Sequence, residues 1–173
     1  MNRIIKRAVI LIMVFSVLLG SLPSFRGLVK AAGPDVIRND ETGIPDKNLY
    51  QLILKGLGKA PGSTFTEEEA QKVEVLSQDI LTENDLGRKE EEKIASLQGI
   101  EKLINLRYFH LGRNNITDIK PLGNLKNLTT IGLEYFCITS IEELRSLTQL
   151  QYLRLPNTVT DLSPIEGMTE LSG

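Results

Sequence analysis

The 22 residues from Leu106 to Asn127 read LRYFHLGRNNITDIKPLGNLKN, and they are the clearest copy of a repeated unit in this chain. Counting forwards by 22 from Leu106 reaches Leu128 and then Leu150. Six further apolar positions keep the same interval, and they begin at Phe109, Leu111, Ile116, Ile119, Leu122 and Leu125. Seven apolar positions that recur together indicate an internal repeat of 22 residues.

The first half of the unit predicts a short strand and a turn. In the L-x-x-L-x-L segment the side chains alternate, so Phe109 and Leu111 should point into a core while Tyr108 and His110 face solvent. Asn114 should then turn the chain, because its amide can satisfy backbone groups that the turn leaves open.

The second half predicts a return segment. Asp118 and Pro121 fit a turn, and Leu122 and Leu125, three positions apart, suit a short helix or a 3₁₀ turn. One unit cannot bury its own apolar edge, but stacked units can. The fold class predicted is therefore α/β, a right-handed solenoid with a parallel β-sheet on its concave face.

The repeat extends beyond the three clearest strands. Counting backwards, apolar residues fit the second half of a unit whose first half is altered, and they are Ile94, Leu97, Ile100 and Leu103. Counting forwards, the pattern continues with one residue deleted near Pro156, through Val159, Leu162, Ile165, Met168 and Leu171. We expect about three repeats over residues 94–173, with no cap at the C-terminal end.

The residues of the repeat unit resemble those of a known family. The stretch NNITDIKPLGNLKNL, from Asn114 to Leu128, resembles the leucine-rich repeats of the internalin family of bacterial surface proteins. The resemblance implies a secreted or cell-surface bacterial protein that binds another protein, with a role in adhesion or host interaction. The same scaffold serves many partners, so the resemblance does not name one.

Residues 44–80 are predicted to form a helical cap over the first repeat. Asp46 is placed to cap a helix that Gly58 can end. The apolar positions expected on that helix are Leu49, Leu52, Ile53 and Leu57. Thr66 and Glu69 form a capping box for a second, short helix.

Two further segments precede the repeats. Val73 and Val75 are candidates for a first edge strand, and the charged segment 81–93 is either a degenerate first strand or a solvated loop. Residues 32–43 are interpreted as a linker.

The N-terminal residues 1–31 have the pattern of a secretory signal peptide. A basic start is followed by the apolar run from Ala8 to Leu19, which is too short to span a bilayer. Cleavage is predicted after Ala31, and an uncleaved N-terminal anchor is the alternative. We therefore expect a secreted or surface-attached protein without membrane contact after cleavage.

Composition argues against several function classes. Five of the 20 basic residues lie in 1–31 while all 22 acidic residues follow, which leaves residues 32–173 with 15 basic residues and a net charge of -7. Such a surface does not attract nucleic acid. One His and one Cys make neither a catalytic pair nor a metal cluster, so no enzyme activity, cofactor or metal is predicted.

The outward side of the predicted sheet is the candidate binding surface, for a protein partner or, as an alternative, a glycan. Its candidate residues are Tyr108, His110, Arg113, Thr130, Glu134, Tyr135, Tyr152 and Arg154. Tyr and Arg are enriched at binding hot spots. Gly132, in the centre, predicts a shallow gap that could receive a side chain of the partner. The oligomeric state is left open.

The middle repeat breaks the asparagine pattern. Phe136 and Cys137 stand where Asn114 and Asn115 stand one unit earlier, which predicts an inward Phe136 and a partly covered thiol. A more specific hypothesis is an intermolecular disulfide through Cys137.

The open apolar edge near Leu171 leaves a second function class open, a truncated or structural remnant of a larger surface protein without its own ligand.

Overall fold

The N-terminal part of the described chain is built from two short strands and two helices. The computed structural model describes residues 35–78 and 89–172. Strand β1 (Val36–Ile37) pairs antiparallel with β2 (Phe65–Thr66). Between them lies helix α1 (Lys47–Gly56), and β2 leads directly into the four-residue helix α2 (Glu67–Ala70).

Both helices begin as their sequences predict. The Asp46 carboxylate accepts the backbone N–H groups of Asn48 and Leu49, and Gly58 follows α1 with a positive φ of 67°. At α2, Thr66 and Glu69 form the predicted capping box. Lys59 donates to Glu69, and this hydrogen bond holds the pKa of the Glu69 carboxyl below its usual range.

The buried face of α1 differs from the predicted one. The helix buries Leu49, Tyr50, Ile53 and Leu54, whereas Leu52 and Leu57 are only partly buried. Burying Tyr50 is tolerated because its hydroxyl donates to the Ile37 carbonyl at 2.8 Å. Its ring also packs against Phe65, with 5.2 Å between centroids, so the helix is fastened to β1 and β2.

The 22-residue interval becomes a parallel ladder of strands. Strands β4 (Tyr108–His110), β5 (Thr130–Gly132) and β6 (Tyr152–Arg154) pair in register, with Phe109 opposite Ile131 and Ile131 opposite Leu153. Strand β3 (Val75–Ser77) joins the other side of β4 and completes the four-stranded order β3-β4-β5-β6. The first strand is thus Val75–Ser77, and Val73 is buried just ahead of it.

Short 3₁₀ helices form the return side, as the spacing of Leu122 and Leu125 predicts. They cover Glu90–Glu92, Ile100–Lys102, Lys120–Asn124, Glu142–Ser146 and Ser163–Ile165. The described part of the charged segment 81–93 therefore contains a 3₁₀ turn at Glu90–Glu92, and residues 81–88 and the predicted signal peptide at 1–31 lie outside the described residues.

One apolar core runs between the sheet and the return side. Its members include the inward positions of every strand and the leucines of the return segments, from Leu49 of α1 to Leu153 of β6. The C-terminal unit is more open: Leu155, Val159, Ile165, Met168 and Leu171 are only partly buried against this core. The core therefore covers the inner side of the sheet and leaves its outer side to carry a site.

Candidate functional site

Two rows of side chains cover the outer side of the sheet, which we call the concave face. Because the buried residues Leu76, Phe109, Ile131 and Leu153 sit at the centre of their strands, both flanking residues of each strand point outwards. The first row, in spatial order, is Val75, Tyr108, Thr130 and Tyr152. The second row is Ser77, His110, Gly132 and Arg154.

The first row presents apolar and aromatic surface. Tyr108 and Tyr152 are 38% and 57% exposed, with the smaller, half-buried Thr130 between them. The ring contacts within the described ranges are Tyr50 with Phe65 and Phe109 with Phe136, so the two concave-face tyrosines do not stack on each other. The result is a notch with Thr130 at its floor and a tyrosine on each side.

The second row corrects two sequence-based expectations. His110 points to the outer side of the sheet but is only 8% exposed, and the gap predicted at Gly132 is filled by its imidazole. A Cβ atom at position 132 would lie 2.3 Å from Cδ2 of His110. The ring leans over the missing side chain because that is the one place on the neighbouring strand without a Cβ.

Glu134 holds this arrangement together. The Nε2–H group of His110 donates to Oε1 of Glu134 at 3.2 Å, and Nη1 of Arg154 donates to the same oxygen at 3.4 Å. Only 19% of the Glu134 side chain is exposed, and its Oε2 atom is buried without a hydrogen-bond donor among the described residues. The Glu134 carboxylate therefore positions His110 and Arg154 and offers little surface to a ligand.

The two arginines of the face are exposed and positioned. The guanidinium of Arg113 lies over the ring of Tyr135, 5.3 Å from its centroid, which is a cation–π contact. Arg154 is 71% exposed, and among the described residues its side chain contacts Glu134 at 3.4 Å. Both cations keep donors that can reach a ligand.

All eight candidate residues lie on or beside the concave face. Six of them offer surface to a ligand, and they are Tyr108, Arg113, Thr130, Tyr135, Tyr152 and Arg154. His110 and Glu134 are mostly covered. Val75 and Ser77 also belong to the face and were not predicted to do so, because β3 precedes β4 by 33 positions instead of 22. The alternation around Leu76 was the signal that could have found them.

Beside the face, the turn residues behave in two different ways. Asn114 is buried, its Oδ1 accepts the N–H of Ile94 at 2.7 Å, and its Nδ2 donates to the Leu111 carbonyl, as predicted for a turn asparagine. One unit later Phe136 points inwards as predicted and meets Phe109 edge to face, 6.1 Å between centroids. Cys137 is exposed, since it alternates outwards next to Phe136.

Within the described ranges, His, Cys, Asp and Glu side chains nowhere gather in a group of three or more that could hold a metal ion. None of the helices in the same ranges is both long and apolar enough to cross a bilayer.

Comparisons with known proteins agree with this architecture. A family model described as leucine-rich repeats (2 copies) matches residues 104–146. The crystal structure of an internalin, InlF, from Listeria monocytogenes is 34% identical in sequence with a TM-score of 0.58, and the match covers 74% of this chain and 42% of InlF. The chain therefore contains leucine-rich repeats and is similar to the internalins in sequence and fold.

Two further Listeria monocytogenes structures extend the likeness. Internalin C2 is 25% identical with a TM-score of 0.63, and the match covers 74% of the internalin-like chain and 53% of internalin C2. The functional domain of InlJ, at 21% identity and a TM-score of 0.58, shares the fold, with 80% of this chain and 32% of InlJ covered. None of the curated proteins matches the chain significantly.

The internalin-like chain spans about half or less of the length of the internalin structures it matches, 42% of InlF and 53% of internalin C2. Its fold is that of a protein-interaction module, a type that is typically non-enzymatic.

Proposed function

We propose that this protein binds another protein through its concave face, outside the bacterial cell, in an adhesion or host-interaction role. Exposed tyrosines next to exposed arginines on the sheet support this proposal, because these residue types concentrate binding free energy at interfaces. The signal-peptide pattern of residues 1–31 supports export, and recovery from culture medium of a protein that begins at Ala32 would test it.

One observation carries the proposal, namely the notch formed by Tyr108, Thr130 and Tyr152. Isolated apolar residues on a protein surface need no explanation. Here, however, two exposed aromatic side chains occupy the same row on the two strands that flank β5, and Val75 continues the row on β3. The strands fix the positions of these side chains, so a ligand would meet them without paying much to order them.

A capture experiment tests the proposed function. Purified protein is immobilised, exposed to extracellular proteins of candidate host cells, and compared with the double variant Tyr108→Ala and Tyr152→Ala. The matched control is Ile104→Ala with Leu162→Ala, which removes two half-exposed apolar side chains outside the concave face.

We expect at least one partner to be captured by the parent protein and by the control variant. The tyrosine variant should fail to capture this partner. Partners captured equally by the tyrosine variant would contradict it, provided that circular dichroism shows all three proteins to be folded alike.

A further inference from the structure

We propose that the partner contributes an extended acidic segment, in which an apolar side chain enters the notch and a carboxylate two positions away binds Arg154 and Arg113. This inference rests on the proposed function and names the chemistry of the ligand. It follows from the exposed charges of the concave face, the side chains that contact its arginines, and the distances between its rows.

The exposed charge of the face is positive although the chain as a whole carries -2. Arg107 and Glu74, which precede the first row, are both exposed and pair at 4.0 Å, and the described concave face itself has Arg154, with Arg113 beside it, as exposed cations. Its one carboxylate, on Glu134, is mostly covered and already accepts from His110 and Arg154. An incoming acidic group therefore meets two guanidinium groups and little exposed negative charge, whereas a basic group would be repelled.

Each guanidinium group makes one contact with a neighbouring side chain of the face. The ring of Tyr135 supports Arg113 from one face, 5.3 Å from the centroid, and the planar edge of the group remains available. No described residue accepts a hydrogen bond from Arg113. Arg154 contacts Glu134 through Nη1, which leaves its other donors free. A planar fork of donors matches a carboxylate and favours bidentate binding.

The distances between side chains on the concave face determine how far apart the matching side chains of the ligand must be. Tyr108 and Tyr152 are two strands apart, roughly 10 Å, so one aliphatic or aromatic side chain fits between them over Thr130. Arg154 follows Tyr152 by two residues on β6, roughly 7 Å along the strand. In an extended peptide, side chains two positions apart share one side and are separated by the same distance. The face therefore fits an apolar residue, any residue, and then Asp or Glu, in either chain direction.

A peptide selection tests this inference. A random 12-residue peptide library displayed on phage is selected against the full-length protein, and the selected peptides are then tested for binding to the Tyr108→Ala, Tyr152→Ala variant. The expected result is enrichment of peptides that carry Asp or Glu two positions from an aromatic or aliphatic residue.

Charge reversal then tests the role of the arginines. Arg113→Glu with Arg154→Glu should weaken binding of the selected peptide at least about 30-fold, because each charged hydrogen bond is lost and replaced by repulsion. Lys in place of the acidic residue of the peptide should restore binding to this variant. Lys55→Glu with Lys120→Glu, which reverses two exposed charges away from the face, should change binding less than about twofold.

Two results would overturn the inference, and they separate it from the proposed function. Selected peptides that need Tyr108 and Tyr152 but show no acidic preference would leave the concave face as the binding site and reject the acidic ligand. Selected peptides that bind the tyrosine variant as well as the parent protein, or a failure to select any, would reject both.

Discussion

Asn114 shows how one side chain can decide a turn. It is buried with hydrogen bonds to the backbone of Ile94 and Leu111 and to the side chain of Gln78, so it joins three separate parts of the chain. The sequence predicts that this asparagine serves the turn, but not that its partners lie 20 and 36 positions away. Such distant partners follow from the stacking of units, which no local pattern contains.

We expect Asn114→Ala to lower the free energy of unfolding by about 2 to 4 kcal/mol, because two buried backbone groups lose their partners. The adjacent Asn115 is exposed and its side chain donates to the exposed Glu90, so Asn115→Ala should cost less than about 1 kcal/mol. Urea unfolding of both variants measures the difference. Equal losses would mean that the buried amide has no special role.

His110 and Gly132 together explain why the gap that the sequence predicts at Gly132 is absent from the surface. A glycine on the face predicts a hollow, but the imidazole of the neighbouring strand covers it. Side-chain direction within a row depends on the neighbours across the strands, and the repeat pattern specifies positions without specifying rotamers.

Gly132→Ala should therefore destabilise the protein by about 1 to 3 kcal/mol, since the new methyl group would overlap the ring of His110. In a His110→Ala background the same substitution should cost almost nothing. A double-mutant cycle measured by urea unfolding checks this coupling. The same cost in both backgrounds would show that the ring does not occupy the hollow.

At the scale of elements, Asp46 links the helical cap to the repeats. Its Oδ1 atom caps α1, as the sequence predicts, and its Oδ2 atom accepts the N–H groups of Ala95 and Ser96 at 2.8 and 3.0 Å. Asn48 adds two hydrogen bonds to the carbonyls of Glu91 and Lys93. The sequence near Asp46 predicts that its side chain caps the N-terminus of α1. The structure adds that the same carboxylate joins α1 to the first return segment.

Asp46→Ala should lower the free energy of unfolding by about 2 to 4 kcal/mol, against about 1 kcal/mol for Thr66→Ala at the capping box of α2. Asp46→Ser separates the two roles, because a serine hydroxyl can cap α1 but is too short to serve Ala95 and Ser96 as well. We expect an intermediate loss for Asp46→Ser in urea unfolding. Full stability of this variant would argue against the link.

The parallel ladder is the element that sequence predicts best. The positions of β4, β5 and β6 follow from the 22-residue interval because each strand repeats the same inward side chain. β3 departs from that interval by an insertion, so its register with β4 could not be counted from the repeats.

For the whole molecule, a continuous core implies a single unfolding unit. Leu133 is fully buried in the middle repeat, and its N–H donates to the Arg154 carbonyl at 2.8 Å. We expect Leu133→Asp to unfold the repeats and the cap together, because a buried unpaired carboxylate costs a large share of the stability of a small domain.

Ile104→Asp provides the matched control, as it introduces the same charge at a half-exposed apolar position and should cost less than about 1 kcal/mol. Far-ultraviolet circular dichroism reports the secondary structure of both variants. Hydrogen exchange of the backbone amides of α1 reports the cap separately. A cap that stays folded in Leu133→Asp would show that the core is not continuous.

The central claim is that the concave face binds a protein partner, and titration calorimetry with the captured partner tests it most directly. The Kd should rise at least about 100-fold for Tyr108→Ala with Tyr152→Ala, since two hot-spot side chains are removed. It should change less than about twofold for Ile104→Ala with Leu162→Ala. A Kd that is unchanged in the tyrosine variant, or raised equally in both variants, would contradict the claim.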